Sequence, residues 1–434
     1  MTLPSGRVPA HPPDAWPRGA SRRRTGSPDN VAAPTLSTDF AGRRWPLFKL
    51  SIRTGLLTVL TVGLYRFWMK TRLRRFYWSS IRPGGHPMEY VGQGIEKLLG
   101  FLIAVVILAF YIGIVNLLLM FVSFSLFDGN YAAYVASFVG VIPLWFYARY
   151  RARRYVLART RWRGIRFGVD PGAWGYAWRA MLYWGLTILS GTLLWPLMTH
   201  RLEKYRIDRT WFGDRQLEQG GRWTGLIKGM IPFWIVLALV VGFVVWGYVL
   251  TPEGTFSTED SLEALLGGLV ISLPFLAIAF AWYSVRSFRV LTATKSAGPI
   301  RFESRARTPR VIGIYMLGFT ATWLLTSLLA IVLLVAYFGL LFLAVGAEFS
   351  LDDLDNLTAP GLPLQLLGFA VYFLIFIIWG AFQHIFVTLP LWRHYAETLE
   401  IVGSEGLHDI RQRARDEHHE AEGFAEALDL GAAI

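Results

Sequence analysis

Two pairs of opposite charge recur at one spacing along this chain: Arg72 with Glu89, and Arg201 with Glu218. A guanidinium and a carboxylate that return together read as a bracing ion pair or as two sides of a lipid-headgroup pocket. Three polar side chains interrupt apolar stretches: Asn116, and Gln383 beside His384. Polar groups at membrane depth are candidate pathway residues, and an imidazole that water reaches titrates near neutral pH. Interhelical hydrogen bonding is the plainer reading of all three. A third concentration of charge, Arg151, Arg153, Arg154, Arg161, Arg163 and Arg166, stands against a single nearby Asp170.

Catalytic groupings are missing. There is no Walker A run, no His-Glu-x-x-His helix and no Gly-x-Ser-x-Gly elbow. Gly92-x-Gly94 follows a hairpin rather than a Rossmann strand, so the start of a helix explains it better than phosphate binding. The chain has no cysteine, which excludes disulfides, thiolate zinc sites, cysteine nucleophiles and iron–sulfur clusters. His408, His418 and His419 sit in a carboxylate-rich C-terminal stretch, read as a solvated charged helix or tail rather than a metal site. The expectation is a protein that is not an enzyme and uses no cofactor.

The elements that position these residues follow from hydropathy. Of 434 residues 54% are hydrophobic and only 17% charged, with mean hydropathy +0.40, too apolar for an ordinary soluble surface. The net charge of +13 is segregated, with no Lys or Arg in 101–148, 230–285 or 311–392. That segregation suits anionic lipid headgroups as the partner and argues against nucleic acid, which requires no cation-free apolar blocks.

Each block reads as a helical hairpin: 98–126 with 131–149, 229–250 with 262–285, and 311–343 with 364–390. The turns between them hold Asp128, then Glu253, Glu259 and Asp260, then Glu348, Asp352, Asp353 and Asp355. The arginine-rich segments 149–179 and 286–310 lie between the blocks. The positive-inside rule places these segments and both termini in the cytoplasm.

Two shorter apolar segments, 55–69 and 180–198, complicate the count. The first reaches only about 22 Å as a helix, short of a ~30 Å hydrocarbon core. The expected fold is therefore an all-α polytopic membrane protein with six full transmembrane helices, two short re-entrant or interfacial helices, and small cytoplasmic β-hairpins. If both short segments crossed, there would be eight spans.

The chain also looks duplicated. A shift of 129 residues aligns Thr58 with Thr187, Met69 with Met198, Arg72 with Arg201 and Glu89 with Glu218. The implied units are 55–167 and 184–302, with the hairpin 311–403 as a degraded third copy. Same-facing copies follow from six spans and inverted copies from eight. Residues 1–38 read as a disordered cytoplasmic tail, 39–403 as the membrane domain and 404–434 as a charged helix or tail. Strand-favouring residues around Pro83-Gly84-Gly85, with similar patterns at Gly164, Gly213 and Gly298, predict the β-hairpins.

The stretch Leu57-Thr58-Val59-Leu60-Thr61-Val62-Gly63-Leu64-Tyr65-Arg66-Phe67-Trp68-Met69-Lys70-Thr71-Arg72 resembles a segment typical of the YjgN family of bacterial membrane proteins, a domain of unknown function (898). Glu89-Tyr90-Val91-Gly92-Gln93-Gly94 and Arg154-Tyr155 fit the same pattern, and the resemblance covers about 40–400. It implies a multi-pass inner-membrane protein and supplies no catalytic residues. Two roles fit the residues: a transporter or channel for a small solute or lipid, with a path between repeat units, or a non-transporting scaffold or envelope-assembly factor. The scaffold would hold lipid or partners through its basic hairpins.

Overall fold

The computed structural model describes residues 34–126, 131–250, 258–345 and 362–413, and most of these are helical. The first described element is strand β1 (Thr35–Phe40), which takes in residues 35–38 of the expected tail. Next come helices α1 (Arg44–Leu60) and α2 (Arg66–Ser80), strands β2 (Ile81–Pro83) and β3 (Met88–Tyr90), long helices α3 (Gly94–Leu126) and α4 (Tyr131–Ala158), and β4 (Thr160–Trp162).

A comparable series follows: β5 (Ile165–Val169), α5 (Ala173–Leu189), α6 (Trp195–Ile207), β6 (Thr210–Phe212), β7 (Arg215–Gln216), β8 (Glu218–Gln219), α7 (Ile227–Leu250), α8 (Thr258–Ala293) and β9 (Lys295–Ala297). The chain finishes with β10 (Ile300–Ser304), α9 (Thr308–Val345), α10 (Leu362–Gln383), a π-helical turn at His384–Thr388, α11 (Leu389–Glu397) and β11 (Leu399–Val402).

The long helices are apolar on every side, and such helices need an apolar surround. Among the described residues four stretches are long and apolar enough to cross a membrane: Trp223–Gly242, Val270–Ala293, Thr308–Leu343 and Leu362–Glu397. Their outer faces expose Leu239, Ile271, Leu317 and Phe369, an arrangement stable in lipid and not in water. Many side chains of α3 and α4, Asn116 among them, lie outside the described residues, as do the acidic turns and His418 and His419.

The strands gather into two sheets, ordered β3-β4-β5-β6-β7 and β8-β9-β10-β11-β1-β2. The meander β3-β4-β5-β6 and the meander β8-β9-β10-β11 share one register. Tyr90 faces Thr160 as Gln219 faces Lys295; Trp162 faces Ile165 as Ala297 faces Ile300; Val169 faces Thr210 as Ser304 faces Leu399. The sheets pack over a common apolar core, with Trp162 and Phe212 from one and Ala297, Ile300 and Ile401 from the other. Residues 404–413, expected as charged tail, add Leu407 and Ile410 to that core, and the Asp214 N–H donates to the Arg411 carbonyl at 2.9 Å.

This pairing has a topological consequence. β1 pairs β2, β3 pairs β4, β5 pairs β6, β8 pairs β9 and β10 pairs β11, all antiparallel. Every helical excursion between paired strands therefore leaves the β layer and returns to it. One backbone hydrogen bond closes three of these roots alike: Ala41 to Ser80 at 2.8 Å, Asp170 to Arg209 at 2.9 Å and Arg305 to Thr398 at 2.9 Å.

Segments 55–69 and 180–198 are not single helices. Each holds a tight reversal, with the Gly63 N–H donating to the Thr58 carbonyl at 2.7 Å and the Thr192 N–H to the Thr187 carbonyl at 2.8 Å. The turns need left-handed backbone at Val62 (φ 51°) and Gly63 (φ 88°), and at Gly191 (φ 58°) and Thr192 (φ 71°). Threonine hydroxyls brace both: Thr58 Oγ1 meets Met69 Sδ at 3.8 Å, and Thr187 Oγ1 meets Met198 Sδ at 3.7 Å. The tips expose Leu60, Val62, Ile188 and Leu189.

Candidate functional site

A broad opening lies where α8 ends, α9 begins and α11 returns. Arg286 and Arg289, one turn apart near the end of α8, share a face. The connection from β10 brings Arg305 and Arg307, and the first turn of α9 brings Arg310. Opposite them stand His394 and Glu397 of α11 and Glu400 of β11, around a cavity of about 1320 Å³. Trp282, one turn before Arg286 along α8, also lines it.

The charges in this cavity do not balance. Arg305 pairs with Glu400 at 3.0 Å, and Glu397 with Arg393 at 3.9 Å. Arg286, Arg289, Arg307 and Arg310 have no side-chain hydrogen bond or ion pair among the described residues. His394 Nε2 accepts the Arg307 backbone N–H at 2.9 Å, so that nitrogen carries no proton. No acidic residue occupies the first turn of α9, whose helix dipole adds to the positive potential. Unpaired guanidiniums around a helix start suit a phosphate or carboxylate ligand.

The equivalent crevice of the preceding meander, between α4, α5 and α6, is filled. Tyr205 Oη donates to the Gly172 carbonyl at 2.9 Å, and the Arg209 guanidinium lies 3.7 Å from its ring centre. Tyr150 and Tyr176 pack against Tyr205 within one buried cluster. Tyr150 Oη donates to the Asp170 carbonyl at 2.8 Å, and Trp211 Nε1 to the Asp170 carboxylate at 2.7 Å.

Beside that crevice a charged cluster ties α4, α6 and β9 together. Glu203 accepts from Arg206 at 2.6 Å and from Lys295 at 2.8 Å. Burial alone would raise the Glu203 carboxyl, but Arg206, Lys295 and Arg153 together hold it well below the usual carboxylate range. Burial and then the Arg206 charge push the Arg153 guanidinium down.

The sequence-selected residues are dispersed by this geometry. Arg72 does not pair with Glu89, nor Arg201 with Glu218, and all four side chains are exposed. Arg72 instead lies over the Tyr65 ring, and Glu89 stands across the strand from Arg161. The six-arginine cluster divides. Arg151 donates to Tyr147 Oη, Arg154 to the Val169 carbonyl, and Arg153 joins the Glu203 group. Arg161 and Arg166 are cross-strand neighbours, and Arg163 sits at the hairpin tip near the Trp162 ring. His384 Nδ1 meets the buried Tyr77 hydroxyl at 3.0 Å, and Gln383 ends α10 immediately before the π-helical turn.

The sequence reading of 286–310 concerned orientation, the repeat and a hairpin at Gly298, named no site there, and passed over His394 and Glu397. One signal was present: Arg286 and Arg289 repeat the spacing of Arg151 and Arg154. No curated protein and no solved structure matches the chain. The family described as bacterial protein of unknown function (DUF898) matches residues 35–426, a range that takes in every described strand and helix, and the chain therefore belongs to that YjgN-like family.

Proposed function

We propose that this chain is a bacterial inner-membrane scaffold, not an enzyme, that holds anionic lipid headgroups in its arginine-lined cavity. The carrying observation is the set of four unpaired guanidiniums at the ends of two apolar helices, with Trp282 at the depth where interfacial aromatics sit. Of the candidate pathway residues, His384 is committed to Tyr77, so transport of a solute or lipid takes second place.

The topology of the β layer supports the six-span reading. Helices leave and re-enter it in pairs, so crossings come in twos: α3 with α4, α7 with α8, and α9 with α10. The α1–α2 and α5–α6 hairpins are too short for two crossings, because about 17 residues reach only ~25 Å. They are re-entrant or interfacial elements with apolar tips in the bilayer. The basic β layer then faces the cytoplasm, together with both chain ends.

The shared register of the two meanders supports an internal duplication in the same orientation. The third root, Arg305 to Thr398, supports a third copy in which the short hairpin has lengthened into α9 and α10.

Two experiments test this. Full-length protein purified in mild detergent retains phosphatidylglycerol, read by native mass spectrometry, and the Arg286→Gln, Arg289→Gln, Arg310→Gln variant loses it; unchanged retention ends the lipid reading. Cysteines replacing the exposed His86 and Glu303 are labelled only from the cytoplasmic side. Periplasmic labelling at either removes the six-span topology.

A further inference from the structure

Building on the reading of the cavity as a lipid site, we infer that its ligand is a lipid carrying two phosphates, held across two adjoining cavities. At about 1320 Å³ the larger cavity exceeds the roughly 300–1,000 Å³ of ordinary small-ligand pockets. A second cavity of about 190 Å³ shares Arg310, His394 and Glu397 with it as a common wall. The second cavity brings its own cations, Arg44 at the start of α1 and Arg393 of α11.

Arg393 is anchored, donating to the Gly42 carbonyl at 2.8 Å and lying 3.9 Å from Glu397. Arg44 is exposed and has no side-chain partner among the described residues. Unpaired charge therefore stands in both cavities: Arg286, Arg289 and Arg307 in one, Arg44 in the other, with Arg310 between them. Two phosphates on one molecule engage both at a single cost in binding entropy, which two separate headgroups do not.

The remaining walls favour a lipid over a free diphosphate. Ile314, Leu389 and Pro390 line the smaller cavity, giving an apolar surface beside the charges for the root of an acyl chain. Both cavities also sit at the ends of helices long enough to span the bilayer, which is headgroup depth.

The test uses full-length protein in phosphatidylcholine vesicles doped with cardiolipin, or with phosphatidylglycerol at twice the mole fraction, so that phosphate and charge are equal. Wild type should prefer cardiolipin by about fivefold, the contribution of one basic residue near an anionic surface. Arg44→Gln should abolish the preference while phosphatidylglycerol binding persists, and Arg289→Gln should weaken both. Equal binding of the two lipids by wild type, or a preference untouched by Arg44→Gln, overturns the two-phosphate inference and leaves the anionic-lipid reading standing. Binding of neither lipid overturns both. Displacement of cardiolipin by inorganic pyrophosphate at matched concentration overturns the assignment to a lipid.

Discussion

The two crevices compare directly, because matching backbone hydrogen bonds root them: Asp170 to Arg209 in one, Arg305 to Thr398 in the other. Along that frame Tyr150 corresponds to Val285, Tyr176 to Val311 and Tyr205 to His394, while Gly172 and Gly175 correspond to Arg307 and Arg310. Val285 and Val311 are as deeply buried as the tyrosines they match. The floor is thus sealed in both, and only the volume above it differs. Three tyrosines fill the first crevice, and Arg209 covers the Tyr205 ring. Smaller side chains and arginines without carboxylate partners leave the second open and positive. One frame serves as a brace in one place and as a binding cavity in the other, and a few side-chain volumes and charges decide which.

The comparison can be broken most severely at Glu203. Glu203→Gln leaves Arg206 and Lys295 without their carboxylate and should destabilise the protein by about 3–5 kcal/mol, read as a lower unfolding temperature in detergent. The same pair sets an acid limit. Because the folded carboxyl titrates below its unfolded value of about 4.3, its stabilisation is complete above that pH and fades as pH falls through the folded value. Unfolding followed against pH should show that acid limb in wild type and a flatter one in Glu203→Gln.

Opening the filled crevice comes next in size. Tyr205→Ala removes a ring packed between Tyr150 and Tyr176 and should cost about 3 kcal/mol. Closing the open one should act on binding more than on stability. His394→Tyr combined with Arg307→Gly brings two of the five matched positions to the filled arrangement and should weaken phosphatidylglycerol retention by about fivefold for the lost charge. Retention at the wild-type level would mean that the cavity's openness is irrelevant.

The smallest effect concerns the hairpin tips, where Val62 holds the place of Gly191. A β-branched residue in left-handed backbone is strained, so Val62→Gly should stabilise by roughly 0.5–1 kcal/mol after its entropic cost. A loss of stability on thermal unfolding would show that the exposed Val62 side chain matters for docking in lipid.

Some of this was legible in the residues. The apolar helices and the segregation of cations are local properties, visible wherever a long run of Leu, Val and Phe lacks charge. Recurrent spacing from Thr58 to Thr187 matched equivalent turns, because both hydroxyls perform the same local task. The reading failed where partners are distant. Arg72 and Glu89 suggested a pair by spacing, yet the strand carrying Glu89 turns it toward Arg161. Thr35–Ser37 of β1 were read as tail, since the pairing that makes them a strand is with β11, far along the chain.

By itself, then, the sequence determined which segments are apolar enough for lipid and where positive charge gathers, since both are sums over neighbouring residues. Tertiary structure decided which charges are spent on each other and which stand free. Arg153 and Arg289 look alike in sequence, but one lies in the field of the Glu203 and Arg206 charges while the other lines an open cavity. The difference arises because ion pairing falls off within a few ångströms, and such distances are set only when strands far apart in the chain take their register.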